Sequence, residues 1–171
     1  MHEPAIRAYC LRRLPVSQAD DAVADTFLTV WRKRHQAPAG DEQRLWLYGI
    51  ARNVVRNARR STERSRRLTK RIAREPGAHQ ESPEVIVVRN AQETDLLAAI
   101  DQLRVVEREI LLLRTWEGLT SREIASVMHL TPKAVDNRLA RIRKKLTRMT
   151  AEPRAVIFSP DPRPVAKGGE R

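Results

Sequence analysis

The stretch from residue 118 to residue 146 constrains the fold most, because its pattern is that of two capped helices joined by a tight turn. Thr120 and Glu123 have the T-x-x-E spacing of a capping box, which marks the N-terminus of a helix. Thr131 is placed to cap the second helix, and Pro132 suits its first position, where no backbone donor is needed. The pattern predicts a helix-turn-helix.

Each of the two helices has one apolar side. In the first helix, Ile124, Ala125 and Met128 have helical spacing, and Leu130 is expected to be the buried anchor of a turn at residues 129–131. The apolar positions of the second helix are Val135, Leu139, Ile142 and Leu146. Its other sides are mostly basic, which favours a recognition helix in a major groove over a solvated face. Two capped helices also occur in small bundles, so the pattern by itself leaves both interpretations open.

The composition favours a polyanionic partner. The 171 residues carry a formal net charge of +12, which suits nucleic acid or an anionic membrane surface. The single cysteine, Cys10, excludes an intrachain disulfide, fits a reducing compartment and is expected in the core. Because no stretch approaches ~18 consecutive apolar residues and no signal-peptide core is found, we predict a cytoplasmic chain without a membrane span. Few glycines and little strand-like alternation predict an all-α fold.

Three helices are predicted in the N-terminal part. The first lies within residues 1–14 and should end at Pro15, the second should be capped by Ser17, and the third covers residues 41–60. The residues expected to be buried are, helix by helix, Ile6, Tyr9, Cys10 and Leu14; Val23, Phe27, Val30 and Trp31; and Leu45, Trp46, Leu47, Ile50 and Val54. The second helix begins with acidic and ends with basic residues, which suits the helix dipole.

The third helix combines aromatic residues with a basic outer face. Trp46 and Tyr48 beside this face can stack on unpaired bases, although Trp46 fits a core position at least as well. A basic run at residues 59–74 follows. Residues 75–83 are rich in polar residues and helix breakers, so we predict a flexible linker between two domains there.

A second helical domain is predicted over residues 84–149. One helix begins near Pro83 and another covers residues 105–118, with Gly118 as its C-cap, before the helix-turn-helix. The residues expected to be buried in these two helices are Val88, Leu96, Ile100 and Leu103, and then Val106, Ile110, Leu111 and Leu113. The tail at residues 150–171 is rich in proline and glycine and is expected to be disordered.

The sequence contains, in this order, an acid-led helix, a basic aromatic helix, a linker and a helix-turn-helix. This order resembles that of an extracytoplasmic-function (ECF) sigma factor of the sigma-70 family. The resemblance covers roughly residues 5–147. Residues 18–33 are similar to the segment that docks on the clamp helices of the polymerase β′ subunit. Residues 44–60 look like the segment that melts and reads the minus-10 promoter element. Residues 111–146 look like the domain that reads the minus-35 element, a match shared with other regulators.

The resemblance implies two domains with different tasks. Residues 1–74 would form a region 2-like domain for polymerase docking and minus-10 melting, and residues 84–149 a region 4-like domain for minus-35 recognition. The implied partners are core RNA polymerase, through the β′ clamp helices and the β flap, and promoter DNA. Members of the family are often held inactive by an anti-sigma factor, which is therefore a further candidate partner.

The family's roles, transferred to matching positions, give three sets of site residues. The polymerase-docking set consists of two acids with apolar support, Asp21, Asp25, Phe27 and Trp31. The minus-10 set contains an asparagine for the melted strand, basic residues for its phosphates and one aromatic residue: Trp46, Arg52, Asn53, Arg56, Arg59 and Arg60. The minus-35 set faces bases or nearby backbone through Asp136, Asn137, Ala140 and Arg141, and phosphates through Lys133, Arg138 and Lys144.

Three features depart from the family's pattern. Ala24 stands where glutamine is frequent, so docking is expected to be altered. The first helix begins very close to Met1, which leaves open whether the natural start lies upstream. Asp136 is suited to accept a hydrogen bond from a cytosine amino group, and equally to be repelled by phosphate.

Two other interpretations remain at the level of sequence. A stand-alone helix-turn-helix regulator of duplex DNA would need neither the acid-led helix nor the basic third helix. A basic adaptor for RNA or membranes is supported only by the run at residues 59–74. No enzyme activity, metal or cofactor is expected, because the four histidines lack metal-ligand spacing and no catalytic arrangement is found.

Overall fold

The computed structural model describes residues 2–72, 96 and 98–149, and every regular element in these residues is helical. The chain divides into two units, Met1–Ile86 and Val87–Arg171. In the first unit, α1 spans Glu3–Leu11, α2 Val16–Arg32 and α3 Glu42–Ile72, with a 3-10 turn at Arg34–Gln36. In the second, a helical segment at residues 98–101 precedes α4 at Val105–Thr115, α5 at Ser121–Met128 and α6 at Pro132–Met149. The all-α prediction is confirmed.

Some predictions concern residues outside this described part. These are the linker at residues 75–83, the helix start near Pro83 with its buried Val88, and the tail at residues 150–171. Within the described residues, no helix is long and apolar enough to cross a membrane.

The core of the first unit is formed by α1, α2 and α3. As predicted, Ile6, Tyr9, Cys10 and Leu14 are buried. However, α1 ends at Leu11, before the predicted end at Pro15, and backbone N–H groups of the next turn bond to the Cys10 carbonyl. Pro15 is itself the N-cap of α2, a position at which the helix does not need the backbone N–H that proline lacks. Ser17 therefore lies inside the first turn and does not cap the helix.

The buried side of α2 consists of small residues, not the predicted aromatic ones. It is formed by Ala19, Ala22, Val23 and Thr26. The Thr26 hydroxyl donates to the Ala22 carbonyl at 2.7 Å, which satisfies this polar group inside the core. Of the predicted apolar stripe, Val23 is buried and Phe27 and Val30 are half-buried, whereas Trp31 is 63% exposed, so the prediction of a buried side chain is wrong for Trp31.

The side of α3 that packs also differs from the predicted one. Its buried residues are Leu47, Tyr48, Ile50, Ala51 and Val55, whereas Leu45, Trp46 and Val54 are half-buried. Tyr48 packs with its ring centroid 5.6 Å from that of Tyr9. Because the Tyr48 ring is used in the core, the prediction that it stacks on unpaired bases is wrong.

The second unit has its own core, formed by α4, α5 and α6 with the preceding segment. Its main buried residues are Leu103, Ile110, Leu111, Leu113, Leu119, Ile124, Ala125, Val127, Met128, Val135, Ile142 and Leu146. Val106, predicted to be buried, is 44% exposed in the first turn of α4, and Leu96 and Ile100 are half-buried. Gly118 adopts φ +64, but α4 already ends at Thr115, so Gly118 belongs to the following turn and is not the cap.

Candidate nucleic-acid interface

Side-chain caps fix the start of both helices in the helix-turn-helix. The Thr120 hydroxyl accepts from the Glu123 N–H at 3.3 Å, and the Glu123 carboxylate accepts from the Thr120 N–H at 2.7 Å. The Thr131 hydroxyl accepts from the Ala134 N–H at 3.2 Å, and Pro132 is the first residue of α6. The predicted capping box, second cap and proline position are all confirmed.

The turn between these helices is made by backbone geometry. His129 has φ 55 and ψ 51, in the left-handed region that a non-glycine residue enters only where the surrounding structure requires it. The next N–H, that of Leu130, donates to the Ala125 carbonyl at 2.9 Å. Leu130 was expected to be the buried anchor but is half-buried, whereas Met128, the residue before the turn, is buried.

The outer side of α6 carries nearly all of the predicted minus-35 residues. Lys133, Asp136, Asn137, Ala140, Arg141 and Lys144 are exposed. On the opposite side, Val135, Ile142 and Leu146 are buried, and Leu139 is half-buried. Arg138 differs from the exposed set, since it is half-buried and donates to the Ala134 carbonyl at 3.2 Å.

The predicted minus-10 residues divide into exposed and packed ones on α3. Asn53, Arg56 and Arg60 are exposed on the side opposite the core, at steps of three and four. Trp46 and Arg52 are half-buried. Exposed positions at these steps share one helix face, so one strand of nucleic acid can contact all three side chains.

Arg59 is held by the fold of the first unit. Its guanidinium donates to the Arg13 carbonyl through Nε at 3.0 Å and through Nη2 at 2.7 Å. Arg13 is 1% exposed, its guanidinium lies 3.6 Å from the centroid of the Tyr9 ring, and it donates to the Tyr9 carbonyl at 3.1 Å. Arg59 therefore joins α3 to the turn after α1, and two of its donors are not directed at a phosphate.

The acidic residues of α2 lie on its solvent side. Asp21 and Asp25 are exposed one helical turn apart, and neither forms an ion pair with another described residue. Asp20, by contrast, pairs with Arg7 at 2.8 Å. At the far end of the helix, the exposed Trp31 ring has the Arg34 guanidinium 4.6 Å from its centroid. These features give α2 a surface of free carboxylates followed by one aromatic ring.

Comparisons with known proteins agree with this arrangement. Residues 1–65 match the model for sigma-70 region 2, and residues 93–146 match that for sigma-70, region 4. The RNA polymerase sigma factor NccH of Alcaligenes xylosoxydans xylosoxydans is 30% identical over 137 residues, which cover 78% of this chain and 74% of that protein. The ECF RNA polymerase sigma factor EcfG of Rhodopseudomonas palustris is 26% identical, over 92% of this chain and 86% of that one. The chain belongs to the ECF sigma factors of the sigma-70 family.

A solved structure shows the same fold as this sigma factor. The sigma factor RpoE of Bartonella quintana, in complex with the anti-sigma factor NepR, superposes with a TM-score of 0.62 at 22% identity, covering 86% of this chain and 90% of that one. As in its relatives, the function of this sigma factor is promoter-directed initiation of transcription. The resemblance found in the sequence, and the function it implied, are confirmed.

Two residues that matter for the first unit were missed by sequence reasoning. Arg13 was not expected in the core, because nothing in its neighbourhood of arginine and leucine distinguishes it from a surface residue. Tyr48 was placed on the wrong side of α3. The four-residue steps from Leu47 to Ala51 and Val55 were the only signal for the packed side, and Tyr48 lies next to them.

Proposed function

We propose that this sigma factor uses three exposed helix faces for three contacts. The acidic face of α2 docks on core polymerase, the outer face of α3 holds the melted minus-10 strand, and the outer face of α6 reads the minus-35 element. Residues 1–74 carry the first two contacts, and residues 84–149 carry the third, joined by the linker at residues 75–83. The observation that supports this assignment is that, in each helix, contact residues lie opposite the residues buried in the core.

The docking proposal rests on charge and on Trp31. Asp21 and Asp25 are exposed carboxylates in a protein whose formal net charge is +12, so the face that carries them favours a basic protein surface such as the clamp helices and disfavours DNA. Trp31 was expected to support this helix from inside, but its exposure suits a contact residue, because aromatic side chains are common anchors of protein interfaces. Phe27 is half-buried, so we assign it partly to the packing of α2 and partly to the contact surface.

Strand opening is proposed to depend on α3. Extruding a base costs a few kcal/mol, which contacts to the extruded strand must offset. Asn53 supplies an amide that both donates and accepts hydrogen bonds, and Arg56 and Arg60 supply charge for the phosphates. The half-buried Trp46 leaves part of its ring for stacking, and the loop at residues 35–41 adds further contacts.

Recognition of the minus-35 element is proposed for α6. Asn137 and Arg141 lie one turn apart on its exposed side, and both side chains form paired hydrogen bonds with base edges in a major groove. Lys133 and Lys144 bind phosphates and position the helix. Asp136 is assigned to a cytosine amino group, a donor of the major groove from which a carboxylate accepts a hydrogen bond.

The setting and regulation follow from this role. We propose that the protein acts in the cytoplasm, where RNA polymerase works, and that it catalyses no covalent reaction of its own. An anti-sigma factor is a proposed partner, since the similar structure of CnrH is in complex with the cytosolic domain of CnrY, and that of RpoE is in complex with NepR.

The decisive experiment combines the purified chain with core polymerase and measures transcription from genomic promoter DNA, followed by sequencing of transcript starts. The proposal expects binding to core and selective initiation. Duplex binding without any effect on core polymerase would instead support a stand-alone regulator. Unselective binding to RNA or anionic vesicles, again without initiation, would support an adaptor.

The docking face is tested by Asp25→Arg, which should abolish binding to core polymerase while leaving helical content unchanged. Glu3→Arg is the matched control, because it makes the same charge change at an exposed position of α1. Titration of labelled core polymerase measures both variants. Unchanged core affinity of the Asp25 variant would mean that the docking face lies elsewhere.

A further inference from the structure

The end of α2 carries a double contact between Arg34 and Trp31. The Arg34 guanidinium lies 4.6 Å from the centroid of the Trp31 ring, within the range of about 6 Å for a cation–π interaction. The same guanidinium donates through Nη1 to the Trp31 carbonyl at 3.0 Å. One side chain therefore binds both the ring and the backbone of the residue three positions before it. We term this pair of interactions the Arg34–Trp31 contact.

The backbone of Arg34 begins the connection from α2 to α3. Helix α2 ends at Arg32, and the 3-10 turn Arg34–Gln36 follows it. The Arg34 carbonyl accepts from the Ala37 N–H at 3.2 Å, and Ala37 is extended, with φ −66 and ψ 125. The direction in which the chain enters residues 37–41 therefore depends on the position of Arg34.

Burial in the core does not hold this turn. None of the residues Arg34–Gln36 is buried, and a 3-10 turn has weaker hydrogen-bond geometry than an α-helix. The Gln36 amide lies 3.4 Å from the ring of its exposed neighbour His35, which ties the turn only to itself. Among the described residues, the Arg34–Trp31 contact is the only side-chain hydrogen bond or ring contact from the turn to α2. The position of the turn therefore depends on this contact.

The Arg34–Trp31 contact lies between two of the proposed binding surfaces. Trp31 belongs to the docking face with Asp21 and Asp25, and the loop at residues 35–41 is assigned to the melted strand. Arg34 covers only part of Trp31, which stays 63% exposed and accessible to polymerase. A cation–π interaction favours the bound arrangement by a factor of about 2–5 at an exposed site and about 30 once water is excluded. A protein surface laid over Trp31 therefore strengthens the contact roughly five- to tenfold.

We propose that Arg34 is a positioning residue, which fixes the loop at residues 35–41 for capture of the melted minus-10 strand and does so most firmly while polymerase covers Trp31. This inference rests on the proposed functions of α2 and of the loop. The role is exerted through Trp31 and the turn, and Arg34 itself contacts no phosphate. Because coupling between two binding events is reciprocal, capture of the strand strengthens docking by the same factor.

The test measures binding of a single-stranded minus-10 oligonucleotide to holoenzyme at several salt concentrations, with core polymerase in saturating excess. Arg34→Gln should weaken binding about five- to tenfold, the amount by which docking strengthens the contact. The slope of log affinity against log salt should stay at the wild-type value, whereas loss of a direct phosphate contact would make it shallower by about 0.7. The oligonucleotide should raise the affinity of the chain for core polymerase, and Arg34→Gln should reduce this gain by the same factor.

Three further variants separate the contact from charge alone. Arg34→Lys keeps the charge but lacks the planar fork that binds the ring and the carbonyl together, so it should lose as much affinity as Arg34→Gln. Lys33→Gln is the matched control, because it removes one charge from the exposed neighbouring residue, and it should bind the oligonucleotide like the wild type. Trp31→Leu combined with Arg34→Gln should bind no more weakly than Trp31→Leu alone, since both remove the same contact. Circular dichroism verifies the helical content of each variant.

Several outcomes would overturn the inference. Full affinity of Arg34→Lys, or a shallower salt slope, would make Arg34 a direct phosphate contact. An equal loss with Lys33→Gln would reduce the effect to net charge, and additive losses in the double variant would show that Arg34 and Trp31 act independently. Unchanged affinity of Arg34→Gln would mean that the turn is held without the contact. If wild-type holoenzyme initiates transcription and Arg34→Gln has no effect, only this inference fails, whereas absence of initiation by the wild type would refute the proposed function itself.

Discussion

Arg59 and Arg60 are adjacent arginines with opposite environments, so substituting each by glutamine separates folding from DNA binding. Arg59 donates twice to the Arg13 carbonyl, whereas Arg60 is exposed on the outer face of α3. A hydrogen bond to a charged group contributes about 1.5–3 kcal/mol. Because both bonds share one acceptor and Arg59 is only half-buried, we expect the lower end, about 1.5 kcal/mol, for Arg59→Gln.

Thermal unfolding of the full chain, followed by circular dichroism, measures this loss. For a domain of 60–100 residues, each kcal/mol lowers the unfolding temperature by about 4–8 °C, so the first unit should unfold about 6–12 °C earlier. Hydrogen exchange of amides in α1 and α3 assigns the change to that unit. Arg60→Gln should leave the unfolding temperature unchanged and reduce the affinity of holoenzyme for the melted minus-10 strand.

The reasoning would be refuted by the reverse pattern. If Arg59→Gln unfolds at the wild-type temperature and reduces DNA affinity as much as Arg60→Gln does, Arg59 leaves the Arg13 carbonyl to bind phosphate. That result would restore Arg59 to the minus-10 set predicted from the sequence and would show that the contact between α3 and the turn after α1 contributes little to stability.

Three further predictions address the second unit and the core of the first. Thr120→Ala removes a capping box and should lower the free energy of unfolding by about 0.5–2 kcal/mol in a denaturant titration, while Ser126→Ala, on the exposed side of α5, should not. Asn137→Ala should weaken binding to the minus-35 element by about 1–3 kcal/mol in competition assays, and an equal loss on unrelated DNA would make Asn137 a backbone contact. Burial raises the pKa of the Cys10 thiol from 9.0 to about 11, with Arg13 opposing the shift. The protonated thiol is therefore favoured in the folded state, and its contribution to stability, complete below pH 9, should decline as the pH rises towards 11. Denaturant titrations at several pH values in this range give the free energy of unfolding as a function of pH. This free energy should fall more steeply with pH for the wild type than for Cys10→Ala, and parallel curves would contradict the raised pKa.

Features that depend on neighbouring residues could be predicted from the sequence. The caps at Thr120 and Thr131 and the buried side of α6 each depend on residues within about three helical turns of one another. For the same reason, the exposed minus-35 residues of α6 were predicted correctly as exposed, with Arg138 as the exception. Their individual roles at bases and phosphates derive from the resemblance to the family and remain predictions.

Features that depend on packing between helices could not be predicted in this way. In α2, the hydrophobic signal of Phe27 and Trp31 exceeds that of Ala22, yet Ala22 is buried, since small side chains let helices approach closely. The bond from Arg59 to the Arg13 carbonyl joins residues 46 positions apart. A backbone acceptor has no sequence signature, so an arginine that binds it cannot be distinguished from one that binds a phosphate.

The first unit carries its exposed acidic and basic residues on different helices, and this separation of charge affects whether polymerase and promoter compete for it. The exposed carboxylates of Asp21 and Asp25 repel DNA, and the exposed guanidinium groups of Arg56 and Arg60 repel basic protein surfaces. If the two faces have the proposed roles, each partner is disfavoured at the face assigned to the other, and polymerase and promoter bind at the same time without competing. Asp25→Arg should therefore abolish binding to core polymerase without weakening the binding of the free protein to DNA. The added positive charge should strengthen the sequence-independent part of that DNA binding. A variant that lost both contacts together would show that the two faces are not independent.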